Sequence, residues 1–348
     1  MKKVAVIGAG PAGIEAASLL AAQGLEVALF EKESQPLHNL TDKAFLFPNF
    51  ADARQVSERL LEKLHTPGIA LLKDTPVVSL LAPTAGGSWQ VNGQGFDAVL
   101  LTSGYTTFDA RRKEELGYGI YPGIHTSLEM EQMLREGKIV NTIGDMPRRI
   151  AFLQCVGSRD EKVGNHYCSK LCCVTAVKQA IEVKKLIPQC EVYVFYMDLR
   201  MWGQHFEELY RQAQTDYNIK FIRGRISEAG GTFDRRVQIK AEDTLMGRPM
   251  KLTVDLFVLM VGMEASQGTR SLAAQAGIAG EYGFAQACDP HTSDNCTARD
   301  GLFVAGSCKR PMTLTDTLAD ARSAAWEVLR YLHSGLKVGS INSTFKKQ

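Results

Sequence analysis

The apolar positions of this chain begin with a short unbroken run. Lys3 to Ile7 does not alternate with polar residues, so it predicts a parallel strand buried on both faces. A glycine-rich turn follows, then helical spacing from about Gly13 to Gln23 that stops at Gly24. Residues 26–30 predict a second strand, completing a βαβ opening. Helical spacing returns over 57–64, and 69–73, 76–80 and 98–102 predict strands. Residues 106–138 carry little apolar periodicity and read as a connection. The pattern then restarts, with a strand over 149–154, a helix over 173–186, a strand over 191–197, a helix over 206–217 and a strand over 219–222. Strands over 235–242, 250–259 and 302–305 and a helix over about 317–332 complete the prediction. Strands alternating with helices imply an α/β architecture.

The first turn gives this pattern its chemistry. Gly8-Ala9-Gly10-Pro11-Ala12-Gly13 is a G-x-G-x-x-G between strand and helix. Gly8 permits the tight turn, Gly10 lets the backbone approach a pyrophosphate, and Gly13 lets helix and strand pack closely. The pyrophosphate would sit on the helix N-terminus, beside Pro11 and Ala12, where free N–H groups and the dipole favour an anion. Glu31 ends the next strand, followed by Lys32, and its carboxylate is placed to accept hydrogen bonds from a ribose diol. Thr102-Ser103-Gly104 ends another apolar strand. Gly306-Ser307 ends a late strand, just before a helix for which Thr315, Asp316 and Thr317 offer N-cap chemistry.

This pairing of early and late strands resembles the two-dinucleotide-binding-domain flavoproteins of thioredoxin-reductase-like type. The resemblance implies FAD as the ligand, with Val78 also beside it. In that family the late strand ends in Gly-Asp and the Asp binds the ribityl chain; here Ser307 holds the position. Lys43, within Thr41-Asp42-Lys43-Ala44-Phe45, is expected to reach the flavin edge.

Composition narrows the classes. The chain has 348 residues, 45% hydrophobic and 22% charged, which is ordinary globular usage. Forty basic and thirty-eight acidic residues leave +2, so nothing in the charge argues for nucleic acid. No apolar run reaches the roughly 18 residues of a membrane span. Met1-Lys2-Lys3 and the apolar run could pass for a signal peptide, but the glycines and Glu15 fit that poorly, so a cytoplasmic chain is expected.

Four of the eight cysteines, Cys155, Cys168, Cys172 and Cys173, crowd into one stretch after the 149–154 strand. That is where a second nucleotide fingerprint would stand, and none is present. Four thiolates can hold a [4Fe–4S] cluster. Zinc also takes four, usually in paired knuckles, which the vicinal Cys172-Cys173 suits poorly. A redox dithiol of Cys168 with Cys172, or simply buried small residues, are the other options. Cys190, Cys288, Cys296 and Cys308 show no ligand spacing.

Cys155-Val156-Gly157-Ser158-Arg159-Asp160-Glu161, then Tyr167-Cys168-Ser169 and Cys172-Cys173 through Lys178-Gln179-Ala180, resembles HdrA, the A-type subunit of heterodisulfide reductase. Tyr118-Gly119, Tyr121-Pro122, Thr126-Ser127-Leu128-Glu129, Phe221 to Arg225 and Val261-Gly262-Met263 extend the likeness over nearly the whole chain. The resemblance implies that Cys155, Cys168, Cys172 and Cys173 ligate one [4Fe–4S] cluster and that the Lys178 ammonium tunes the flavin. It implies an FAD-binding domain over 1–110 and 266–340, a connecting region over 111–148, a degenerate NAD(P)-binding-like domain over 149–265 and a tail over 341–348.

Methanogen members are longer and carry ferredoxin modules, whose C-x2-C-x2-C-x3-C-P run is missing here. The chain is therefore similar to the flavoprotein of the sulfur-oxidising heterodisulfide-reductase-like system. That likeness implies a cytoplasmic homodimer beside B- and C-type subunits, serving oxidation of sulfane sulfur, carried on a lipoate-bearing protein, toward sulfite. The alternatives are the flavoprotein of a quinone-interacting complex in sulfate reduction and a stand-alone NAD(P)H-dependent disulfide reductase.

Overall fold

A computed structural model describes residues 1–84 and 87–334. The tail expected over 341–348 lies outside the described residues. The chain divides into two compact units: 1–39, 56–106 and 264–348 form the first, and 40–55 with 107–263 the second. Residues 40–55, expected in the flavin domain, thus belong to the second unit, as does 111–148.

The first unit is built on a five-stranded parallel sheet, in the order Leu302–Val304, Ala98–Leu101, Lys3–Ile7, Glu26–Phe30, Ile69–Leu72. Its central strands are buried on both faces, Val4, Ala5, Val6 and Ala98 to Leu101 being fully or almost fully covered, which is why they lack alternation. The helix Pro11–Ala22 opens directly from the first strand. One face of the sheet packs a core of Ile7, Phe30, Val99, Leu101, Leu272, Ile278 and Val304. Leu272 belongs to the helix Gln267–Ala276, which the sequence pattern did not predict. Ser266 caps it by accepting the N–H of Thr269 at 3.1 Å.

The second unit repeats the plan. Its parallel sheet runs Ile124–Thr126, Leu256–Val261, Arg149–Val156, Glu191–Tyr196, Lys220–Arg223. The helix Cys172–Leu186 packs over it, burying Val174, Val177, Ile181 and Val183 with Phe152, Val194 and Val258. A three-stranded antiparallel sheet, Ile226–Gly231, Val237–Asp243, Arg248–Val254, is added within the same unit.

Several predicted elements are corrected. Residues 250–259 are two strands, because buried Asp255 turns the chain and accepts the N–H groups of Arg148 and Arg149 at 2.7 and 2.8 Å. Residues 76–79 are not a strand; Asn92 Oδ1 takes the N–H groups of Val78 and Ser79, and only Leu80–Leu81 pairs. The strand Ile226–Gly231 was missed because its Gly230-Gly231 end reads as a turn. The supposed connection over 106–138 contains the strand Ile124–Thr126 and the helix Ser127–Arg135. Its signature was a capping box, T-x-x-E. Thr126 accepts the Glu129 N–H at 3.4 Å, and Glu129 Oε2 accepts the Thr126 N–H at 2.6 Å. Burial opposes ionisation of Glu129, but the bonds from His125 and Thr126 outweigh it and hold the carboxyl at about 2. Among the described residues no helix is long and apolar enough to cross a membrane.

Thr126→Ala removes the cap and is expected to cost about 1 kcal/mol, read as a lower urea midpoint at unchanged slope.

Candidate functional site

In the first unit the glycine turn is closed by contact rather than by preference. Gly8 has φ +111°, and a Cβ there would meet the Thr102 carbonyl oxygen at 2.6 Å. A Cβ on Gly13 would lie 1.9 Å from the Gly8 carbonyl oxygen. At Gly10 a Cβ would meet nothing within 4 Å, so the backbone there faces open space. The helix starts with Gly10 as N-cap and Pro11 next, with no capping side chain and no acid in its first turn. Its first N–H groups and positive dipole end therefore remain available to an anion.

Glu31 is buried, and its oxygens accept the Ala9 N–H at 2.8 Å and the Glu33 N–H at 3.0 Å. Each carboxylate oxygen takes one such bond and keeps further lone-pair capacity for a diol. Lys32 lies outside this arrangement, exposed and paired with Glu33 at 3.1 Å. Val78 is 71% exposed. Thr102 Oγ1 donates to the carbonyls of Ile7 and Gly8 at 3.0 and 2.9 Å, locking the strand ends together. Ser103 Oγ is 2.6 Å from Thr269 Oγ1, and Thr269 also donates to the Gly104 carbonyl at 3.0 Å.

At the late turn Gly306 has φ +74°, and its N–H donates to Asp320 Oδ2 at 2.6 Å. Asp320 also takes the buried Lys309 ammonium at 2.7 Å and the Asn295 amide at 3.0 Å. Ser307 lies half-buried in the same turn. The N-cap of the following helix, Leu314–Ser334, is Thr313 rather than a residue of 315–317. Thr313 Oγ1 accepts the Asp316 N–H at 3.0 Å and Asp316 Oδ2 accepts the Thr313 N–H at 3.2 Å. Thr317 is buried one turn in. Asp320 and Thr269 support this site and were not predicted, since nothing local in the sequence marks a side chain that reaches back to another turn.

The second unit gathers the cysteine motif. Cys155 is the penultimate residue of the strand Arg149–Val156, with φ +60°, where the register against Leu256–Val261 shifts. Its thiol is held below the ordinary range, first by a hydrogen bond from Cys172 and then by the Arg159 charge, against the effect of burial. The same bond and burial push Cys172 up. Cys173 is pushed up to about 12 by burial, although the Arg200 N–H donates to its sulfur at 3.4 Å. Cys168 accepts the Lys170 N–H at 3.3 Å. Charges on Cys155 and Cys168 are felt at Arg159, which pairs with Asp198, and at Cys172 and Cys173.

The loop between Cys155 and Cys172 is pinned by serines that the sequence did not single out. Ser158 Oγ lies 3.0 Å from Ser169 Oγ, and Ser169 Oγ accepts the Met263 N–H at 2.8 Å. A Cβ on Gly157 would lie 2.0 Å from the Phe108 ring. Gln154, beside Cys155, is buried with both amide atoms unpartnered. Among the described residues no three His, Cys, Asp or Glu side chains converge on one metal ion.

Lys178 is 2% exposed, and the polar groups it bonds belong to its own unit. Its ammonium donates to Glu131 Oε1 at 2.5 Å and to the Phe45 carbonyl at 2.9 Å, and lies 3.2 Å from Glu182 Oε2. Gln179 adds a bond to Glu131 at 2.7 Å. Burial pushes Glu182 up to about 7, with Lys178 pulling down and Glu131 pushing up. Lys43, in the same unit, is held below its ordinary value by burial, partly offset by Glu131.

The comparisons fit this architecture. Residues 2–127 match the family described as pyridine nucleotide-disulphide oxidoreductase. The A-type subunit of the H(2)/formate:CoB-CoM heterodisulfide,ferredoxin reductase of Methanococcus maripaludis is 40% identical over 261 residues, covering 72% of this chain and 39% of that protein. The A-type iron-sulfur subunit of the CoB–CoM heterodisulfide reductase of Methanocaldococcus jannaschii is 40% identical over 237 residues, 65% of this chain and 36% of that one. The chain thus spans under two fifths of the length of these relatives. Among solved structures, thioredoxin reductase of Lactococcus lactis aligns with TM-score 0.66 and 17% identity over 95% of this chain and 99% of that chain. Thioredoxin reductase of T. acidophilum aligns with TM-score 0.63 and 17% identity, covering 94% and 98%. The expected thioredoxin-reductase-like fold is therefore the fold of this chain.

Two substitutions test the charge network. Lys178→Met leaves Glu131 buried without its cation and is expected to cost about 3–5 kcal/mol in urea unfolding. Glu182 has a raised folded pKa, so its contribution is full below the ordinary carboxyl range and is lost as pH rises through about 7. Glu182→Gln is therefore expected to gain on the wild type between pH 5 and pH 8, read from melting temperatures across that window.

Proposed function

We propose that this chain, a homologue of HdrA over most of its length, is an FAD- and iron–sulfur-carrying electron-transfer subunit of an oxidoreductase complex. The observation that carries the reading is the place of the four cysteines. They run from the end of the strand Arg149–Val156 to the start of the helix Cys172–Leu186 in a second nucleotide-binding-like sheet, where no glycine triplet stands to hold a nicotinamide cofactor.

The residues present suit both groups. For the dinucleotide, Gly10 leaves an open backbone cradle, the helix behind it has uncapped N–H groups, and Glu31 is oriented by two backbone donors. Thr102, Gly104, Gly306 and Ser307 would complete the binding of FAD, their turns held by Thr269 and Asp320. For the cluster, Cys155, Cys168, Cys172 and Cys173 supply one sulfur per iron. Arg159 lowers the cost of thiolate charge at Cys155, and the Arg200 N–H gives Cys173 a donor. When bound, FAD exchanges electrons in pairs and the cluster passes them singly.

The chain's own part is to keep each group in a fixed, desolvated seat and to balance its charge. Burial of Cys172 and Cys173 restricts water at the thiols, and the serine-pinned loop holds their spacing. The partners in this reading are B- and C-type heterodisulfide-reductase-like subunits and a second copy of this chain, in the cytoplasm. The pathway is oxidation of sulfane sulfur to sulfite, with a lipoate-carrying protein as the sulfur source for the complex.

Anaerobic purification with flavin, iron and sulfide measured together tests this. About four irons per FAD are expected. Cys172→Ser is expected to lose the iron while retaining flavin. A protein that takes up no iron after anaerobic reconstitution overturns the cluster. NADH is expected to leave the flavin oxidised; rapid bleaching would restore a nicotinamide site.

A further inference from the structure

Gln154 stands immediately before the first cysteine of the motif, 5% exposed, with neither amide atom hydrogen-bonded among the described residues. A buried amide left unpaired is costly, so it calls for a partner from outside the chain. The strand Arg149–Val156 is paired in regular register through Leu153. Its side chains therefore alternate between the two faces of the sheet. Ile150 and Phe152 lie in the core that contains Cys172, Val174 and Val177, while Ala151 and Leu153 pack in the core on the other face. Gln154 is the next residue on the side of Ile150 and Phe152. The strands Arg149–Val156 and Glu191–Tyr196 are parallel, so the helix Cys172–Leu186 between them runs back against the strand direction. Each step from Ile150 through Phe152 to Gln154 thus moves toward the helix start, where Cys172 and Cys173 stand.

We infer that the Gln154 carboxamide is a hydrogen-bond donor to the sulfurs of the cysteine motif, Cys172 foremost, and tunes the potential at which an iron–sulfur cluster there accepts an electron. The inference rests on the cluster reading above. Thiolate and sulfide sulfurs have lone pairs and no proton, so Nε2 rather than Oε1 is the atom that serves them. The other sulfurs have partners of their own. The Lys170 N–H reaches Cys168 at 3.3 Å, the Arg200 N–H reaches Cys173 at 3.4 Å, and Arg159 faces Cys155. Cys172 instead donates to Cys155, and it lies in the core on the Gln154 side of the sheet.

An electron arriving at such a cluster adds negative charge that its sulfurs share. An N–H dipole aimed at a sulfur interacts more strongly with the more negative state, so it favours reduction and raises the potential. No covalent bond and no proton moves in this step. An amide suits a position this deeply buried because it supplies the dipole without a charge of its own to desolvate.

The test uses the full chain purified anaerobically, with flavin, iron and sulfide measured. The cluster signal is followed by electron paramagnetic resonance during a dithionite titration with redox mediators. Gln154→Met keeps the length of the side chain and removes its donor. At wild-type iron content, its reduction is expected to be about tenfold less favourable, roughly 59 mV more negative for one electron. Stripped of iron by a chelator, Gln154→Met is expected to melt no lower than the wild type, because two unpaired buried polar atoms are gone. Loss of iron from Gln154→Met, with the iron-free form melting as the wild type does, also supports the contact. A variant reduced at the wild-type potential overturns it. So does an iron-free variant that melts several degrees lower, since the amide would then have its partner within the chain. A wild type that takes up no iron after anaerobic reconstitution overturns the cluster reading itself, and this inference with it.

Discussion

A charge taken out of water must find its counter-charge within hydrogen-bonding distance, and each unit of this protein is tied together where it does. In the second unit the ammonium of Lys178 draws Glu131, Glu182 and the Phe45 carbonyl to one point. Those groups come from three segments far apart in the chain. The helix that carries Lys178 begins with Cys172 and Cys173, so the charge pairing also sets where two of the four clustered sulfurs stand. In the first unit, buried Glu15 is held by Lys63 and Arg322, and buried Lys309 by Asp294 and Asp320. The first pairing ties the helix Pro11–Ala22 to the helix Leu314–Ser334; the second secures the Gly306 turn.

The two sheets share a strand arrangement and differ in the segment after their central strand. In the first unit that strand is followed by glycines, and the absence of Cβ atoms lets helix, strand and Thr102 crowd together around an open cradle. In the second unit the corresponding strand carries, one residue before its end, a cysteine with positive φ and a shifted register. A loop pinned by Ser158 and Ser169 then leads to a cysteine pair at a helix start. Backbone N–H groups that would cradle a phosphate are replaced by thiols facing Arg159. That exchange of donors for soft acceptors is what supports the proposal of an electron-transfer site in the second unit.

Much of the fold was legible because buried parallel strands are nearly pure apolar runs: Lys3–Ile7, Glu26–Phe30 and Glu191–Tyr196 stand where the pattern put them, within a residue. The errors have definite causes. Asp255 splits an apolar run by accepting two N–H groups from a neighbouring strand, a contact invisible to periodicity. The Ser127–Arg135 helix is short, and its capping box was a clearer signal than its apolar spacing. Thr313 caps the last helix because Asp316 reaches back to its N–H, so the cap lies earlier than the residues that carry the familiar cap chemistry.

What the sequence by itself determined is the chemistry of short segments: the glycine turn, the acid after the second strand, the four clustered cysteines. These depend on neighbours a few residues away, and their spacing is written in the chain. Only the tertiary structure decided which distant side chains complete each site. Glu131 against Lys178 and Asp320 against Gly306 are pairings of this kind. No periodicity encodes them, because a buried polar group is satisfied by whatever the folded backbone brings within reach, and that distance is set by packing rather than by order along the chain.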